Sequence, residues 1–166
     1  MSIGLCGYMD FSSDSLSDEV FLSHFIVGQS VKYKLGCKLG GNVSRHAYNI
    51  LESNPTGGTM FIEIMDTPLD NYADGMLQPN IDIRDASETD IADIIKSNLD
   101  NLQNFLQSII NYKNINRIVL YFNYEFWQNE DKTVDVNINN FSDIMLDYYK
   151  KNDYSAPVLK IVIDNN

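Results

Sequence analysis

Cysteine is scarce in this chain: 166 residues hold only two, Cys6 and Cys37. Two thiols make no disulfide framework, and a chain of this length builds a sufficient core without one. Both read as free thiols, buried or half-buried. Histidine is equally scarce, with His24 and His46. Nothing in the spacing of these four residues sets up a thiol–imidazole nucleophile. His24 lies in an apolar run and reads as a hydrogen-bonded core or edge residue. His46 follows Arg45 on the solvated side of an expected helix. Long hydrophobic runs are missing too. No stretch approaches the roughly 20 apolar residues of a membrane helix. The start, MSIGLCGYMDFSS, lacks the basic residues and apolar run of a secretory signal. A cytoplasmic protein without membrane contact is the expectation.

Positive charge is short: 12 Lys+Arg stand against 23 Asp+Glu, a formal net charge of −11. Lys32, Lys34, Lys38 and Arg45 form a basic cluster too small, in such a chain, for a nucleic-acid surface. They are expected to pair with acids or stay solvated. Gly36-Cys-Lys-Leu-Gly-Gly-Asn42 matches neither a P-loop nor a dinucleotide fingerprint and reads as a turn before a helix. No cofactor is expected.

The acid that is present is unevenly placed. From Glu63 to Asp100 there are ten acids and two bases, Arg84 and Lys96, a local balance of −8. Such a field attracts a basic partner and repels nucleic acid. Asp66, Asp70, Asp74, Asp82 and Asp85 all fall in one long irregular stretch, 66–85, which carries Pro68, Gly75 and Pro79. Loops of that length are uncommon in compact domains and often functional. Glu88, Asp90 and Asp93 also suit a helix start, where carboxylates meet the positive end of the macrodipole.

Hydrophobic periodicity predicts one domain with a mixed β-sheet flanked by amphipathic helices, in the α/β or α+β class. Strands are expected at Ile3–Phe11, Thr59–Met65, Arg117–Phe122 (extended to Trp127) and Val158–Ile163. The run around Val20–Val27 reads as a short helix capped by Ser17 or Asp18, or else as a buried strand continuing through Gln29–Leu35. Gly36, Gly40 and Gly41 mark a loop, and Ser44–Ser53 a helix. Residues 87–111 form the clearest element. Ser87-Glu-Thr-Asp90 is a capping pattern, followed by Ile91, Ile94, Ile95, Leu99, Leu102, Phe105, Leu106, Ile109 and Ile110 at helical spacing. This helix should cross between the strands at 59–65 and 117–123, if those are parallel. Residues 128–132 look like a hairpin loop, with Thr133–Ile138 returning beside the strand before it. Asn140 is expected to cap a helix whose apolar side is Phe141, Ile144, Met145, Tyr148 and Tyr149.

Two constellations bear on function. Asp66 and Asp164 lie just past strand ends, where α/β folds place active residues, and with Asp70 they would supply carboxylates for a divalent ion. That arrangement describes a metal-dependent phosphohydrolase or nuclease, although the Asp66-x-x-x-Asp70 spacing is not a known metal loop. The other constellation is Tyr121-Phe-Asn-Tyr-Glu-Phe-Trp127 followed by Glu130 and Asp131. Alternation leaves Tyr124 or Trp127 near the surface beside Glu125, Glu130 and Asp131, pairing anchors for burial with carboxylates for steering.

The acidic stretch 66–85, the long helix leading into KNINRIVLYFNYEFW and the closing NNFSDIMLDYYKKNDYSAPVLKIVID together resemble the small acidic α/β immunity proteins of bacterial contact-dependent growth inhibition and polymorphic toxin systems. The resemblance implies a cytoplasmic antitoxin without catalytic residues, and no metal site is expected. It would bind a cognate toxin domain, often a basic nuclease. The residues expected at that interface are Asp66, Asp70, Asp74, Asp82, Asp85, Glu88, Tyr124, Glu125, Trp127, Glu130 and Asp131.

Overall fold

In the computed structural model, the described residues are 5–12, 16–40, 58–65, 87–112, 115–122, 132–154 and 157–165, the side chains of 16–18, 65 and 88 excepted. Six strands and three helices follow one another as β1 (Leu5–Phe11), α1 (Leu16–Lys32), β2 (Gly36–Leu39), β3 (Thr59–Met65), α2 (Glu88–Ile110), β4 (Ile115–Phe122), β5 (Thr133–Asp135), α3 (Phe141–Lys151) and β6 (Leu159–Asp164). A 3₁₀ turn, Ile138–Asn140, leads into α3.

The strands form one sheet in the order β2-β3-β1-β4-β6-β5. Four neighbouring pairs are antiparallel, and β5 with β6 is parallel. The mixed sheet expected from the sequence is present. β3 and β4 both run antiparallel to β1, so they point the same way with β1 between them. Helix α2 carries the chain across that gap.

Side chains alternate between the two faces of the sheet. Leu5, Met9 and Phe11 of β1 point to the face that also carries Ile62, Ile64, Ile118, Leu120, Ile161 and Ile163, and all of these are buried in one cluster with the helices. Helix α1 adds Leu22 and Ile26. Helix α2 adds a stripe from Ile91 to Ile110, and α3 adds Phe141, Met145 and Tyr149. Cys6, Phe61 and Val119 are buried on the opposite face, outside that cluster.

Helix α2 forms where its caps and stripe direct. Asp90 N–H donates to Ser87 Oγ at 3.2 Å, and Ser87 Oγ donates to Asp90 Oδ2 at 2.7 Å. Ile94, expected in the stripe, is exposed instead. The apolar run near residue 20 resolves as helix. Leu22 and Ile26, one turn apart, face the core, while Phe25 stacks on Tyr112 with ring centroids 4.0 Å apart. Helix α1 starts at Leu16, so Ser17 and Asp18 lie within it rather than capping it. It ends at a left-handed residue, Lys34 (φ 56°), with Leu35 N–H donating to Ser30 O at 2.8 Å. That six-to-one bond closes helices whose next residue adopts the left-handed conformation, usually glycine.

Four expectations are corrected. Gly36–Leu39, read as loop, is the edge strand β2, because Cys37 and Lys38 pair with Ile64 and Glu63 of β3. Residues 133–138 do not return beside β4. β5 is three residues long and pairs with β6. β6 offers alternate buried residues along a six-pair ladder and takes the place next to β4, whereas Thr133 and Asp135 are exposed and suit an edge. Asn140 makes no side-chain cap for α3. The capping side chain is Asn137, which accepts from Asn139 N–H at 2.9 Å and starts the 3₁₀ turn. His24 is exposed on α1 rather than held in a core. The expected helix at 44–53 and the strand extension at 123–127 lie outside the described residues.

Gly7 fixes the spacing of β1 and β4. A Cβ there would lie 1.8 Å from the Val119 carbonyl oxygen. The obstacle is backbone, so no rotamer relieves it. Gly7→Ala is expected to destabilise by about 3 kcal/mol or more, at or beyond the top of the usual overpacking range, measured by urea unfolding. A loss under about 1 kcal/mol contradicts the close approach. Lys34→Gly should do the opposite. Relieving the left-handed residue is expected to stabilise by about 1 kcal/mol, net of the entropy glycine adds to the unfolded chain.

Candidate functional site

Helices α2 and α3 lie side by side on the outside of the core, and polar contacts lock them together. Gln103 Oε1 accepts from Ser142 N–H at 2.8 Å, and Gln107 Nε2 donates to Asn139 Oδ1 at 2.8 Å. Lys96 is the base of this ridge where the helices meet. Its Nζ lies 2.7 Å from Asp100 Oδ1, one turn along α2, and 2.8 Å from Asp143 Oδ1 on α3. It also donates to Ser142 Oγ at 2.9 Å, and that hydroxyl donates to Asp100.

Burial alone would lower the Lys96 pKa. Hydrogen bonds to Asp100 and Asp143 outweigh it and hold the ammonium above its ordinary value. Burial likewise works to raise the Asp100 carboxyl, but the bonds from Lys96 and Ser142 win and depress it. Asp100 remains half exposed, so solvent screens the pair and its contribution is modest. Lys96 is committed to Asp100 and Asp143. Asp93 and Asp147 are exposed and make no ion pair among the described residues, and Asp90 is exposed at the start of α2, where it serves the cap. Helix α3 closes on Lys150 and Lys151, which suit the negative end of its dipole.

Glu88 is the first residue of α2, beside this ridge in the chain. Asp66, Asp70, Asp74, Asp82, Asp85, Tyr124, Glu125, Trp127, Glu130 and Asp131 lie outside the described residues. Asp143 and Asp147 were not singled out by sequence reasoning, although their one-turn spacing opposite the Phe141–Met145–Tyr149 face was the available signal.

Of the three carboxylates considered for a metal, Asp164 is described, and Arg117 holds it. Nε donates to Oδ1 at 2.6 Å, and that bond, with the charge of Asp164, raises the Arg117 pKa above its ordinary value. Asp164 and Asp135 border a cleft of about 340 Å³ at the carboxyl ends of β5 and β6. Several of its amides serve the fold. Asn165 Nδ2 donates to the Ile110 and Ile115 carbonyls at 2.9 and 2.8 Å, and Asn139 and Asn137 accept the bonds given above. Among the described residues no three His, Cys, Asp or Glu side chains converge as a metal site. None of the described helices is long and apolar enough to cross a membrane.

Cys6 and Cys37 are free thiols. Burial, and secondarily the charge of Glu63, pushes each up to about 12, so neither is a ready thiolate. No protein-family model matches the chain, and no curated protein and no solved structure matches it.

The clamp makes a pH-dependent contribution of known sign. The Asp100 carboxyl is depressed on folding, so its stabilisation is present above the unfolded value of about 3.9 and is lost as pH falls through the folded value. Asp100→Asn is expected to cost up to about 1 kcal/mol at neutral pH. The difference from the unaltered protein should shrink from neutral pH to about pH 2, as the carboxyl takes up its proton. Urea unfolding of both proteins at the two pH values checks this, and a pH-independent difference contradicts it.

Proposed function

We propose that the chain is an immunity protein: a cytoplasmic antitoxin that binds and neutralises a cognate basic toxin domain, a nuclease, through its acidic surface. The observation that carries this reading is charge left over after the fold has taken what it uses. Lys96 and Arg117 are committed to three carboxylates, while Asp93 and Asp147 stand exposed on the α2–α3 ridge with no ion pair among the described residues. The ridge continues in sequence from the acid-rich 63–85 stretch. Carboxylates gathered on a rigid helical face steer a cationic protein and mimic the nucleic acid that a nuclease would otherwise bind. The residues of 66–85 and 124–131 named above would extend that surface. No catalytic residue is assigned.

Co-purification with the product of the adjacent reading frame tests the partner. A stable complex that abolishes toxicity supports the reading, and a neighbour with no affinity for this chain counts against it. Kinetics test the mechanism. Association is expected to approach 10⁸–10⁹ M⁻¹s⁻¹ at low salt, on the order of steered pairs, and to fall steeply as salt rises. Asp93→Lys with Asp147→Lys should slow association about tenfold and change dissociation little. An association rate indifferent to salt contradicts the steering.

A further inference from the structure

Helix α1 is apolar on both sides. Leu22 and Ile26 enter the core, yet Phe21 is 68% exposed, Val31 70%, Val20 48% and Val27 44%. Among the described residues these are four of the six exposed large hydrophobics. Val20, His24, Val27 and Val31 follow spacings of four, three and four, so they form a single line along the helix. Phe21 and Gly28 lie beside that line, and a Cβ added at Gly28 would meet nothing within 4 Å. The surface continues into a groove of about 460 Å³ between α1 and the edge strand β2, lined by His24, Val27, Cys37 and Leu39 among others. Single exposed hydrophobics are ordinary, but a contiguous row beside a groove marks an interface.

The charge around this row selects its occupant. Lys32, Lys34 and Lys38 border it against Glu19, so it is locally basic in a chain of net −11. A basic partner gains nothing here. Two copies of an acidic chain repel each other least where the local charge is least negative, so this face is where a second copy can approach. The row is also self-complementary when reversed. About the midpoint between Phe25 and Ile26, Val20 falls opposite Val31 and His24 opposite Val27. The Glu19 end meets the Lys32 end. Among the described residues Glu19 makes no ion pair, and Lys32 rests over the Tyr33 ring at 5.4 Å. A parallel arrangement would instead set like charges together and align the helix dipoles unfavourably.

We infer that two copies of this chain associate through α1, packed antiparallel about a two-fold axis. The ridge of α2 and α3 takes no part, so the pairing is independent of the toxin reading. One helix pair lies at the small end of stable interfaces, and a micromolar dissociation constant is expected.

Sedimentation equilibrium of the purified chain from micromolar to millimolar concentration tests this. The mass is expected to rise from 18.9 kDa toward twice that value. Val31→Glu, at an exposed position and with an unchanged circular dichroism spectrum, is expected to hold the protein monomeric. The orientation is tested by disulfide trapping. Val20→Cys with Val31→Cys in one chain should give a covalent dimer under mild oxidation. Val20→Cys alone should not, because antiparallel packing leaves it roughly 16 Å from its own copy. The unaltered chain supplies the background from Cys6 and Cys37. A monomeric mass throughout, a dimer that survives Val31→Glu, or trapping by Val20→Cys alone would overturn the inference.

Discussion

Self-repulsion is the constraint that the rest of this molecule answers to. A chain of net −11 holds together against its own field. It does so with an apolar cluster that runs between one face of a six-stranded sheet and all three described helices. β1 is the centre of that arrangement, with antiparallel ladders on both sides and Gly7 drawn close to the backbone of β4. The few ion pairs in the described residues secure joints: Lys96 ties α2 to α3, and Arg117 ties β4 to β6. Exposed pairs of this kind are worth little in stability, so their contribution is register and orientation.

What the fold does not neutralise, it displays. Asp93 and Asp147 sit on helices whose other faces are locked into the core, so their charge is presented on a surface that cannot collapse around it. On the proposed reading this rigidity favours binding, because preorganised charges bind without paying to be ordered. The acidic ridge and the basic-rimmed apolar row of α1 are chemically opposite surfaces.

Legibility in the sequence followed the range of the interactions involved. Helix α2 was readable because its cap and its stripe are local, and β3 because a short apolar run after Gly57-Gly58 has few alternatives. The pairing of β5 was not, since a hairpin is the local solution and the observed one depends on β6 competing for β4 from a later part of the chain. β2 was hidden by its flanking glycines, which signal turns whether or not a ladder forms between them. Lys96 and Asp100 share the one-turn spacing that predicts a pair, but Asp143 joins them only through the packing of two helices. The density of apolar residues in α1 was visible. That it exceeds what one helix face can bury became clear only when Leu22 and Ile26 proved sufficient for the core. Of the residues expected at the interface, Glu88 is among the described ones, at the start of α2, and the exposed acids Asp93 and Asp147 lie on the helices that follow it.

The central claim is that the acids of the α2–α3 ridge serve a partner and burden the isolated fold. The salt dependence of unfolding tests it most directly. For the unaltered protein and for Asp93→Asn/Asp147→Asn, the free energy of urea unfolding would be measured from low to moderate sodium chloride. If the claim holds, added salt stabilises the unaltered protein by screening its repulsion, and the double variant is already more stable at low salt and responds less. A protein that loses stability as salt rises, or a double variant weaker than its parent, would show that these carboxylates hold the fold together and would contradict the account.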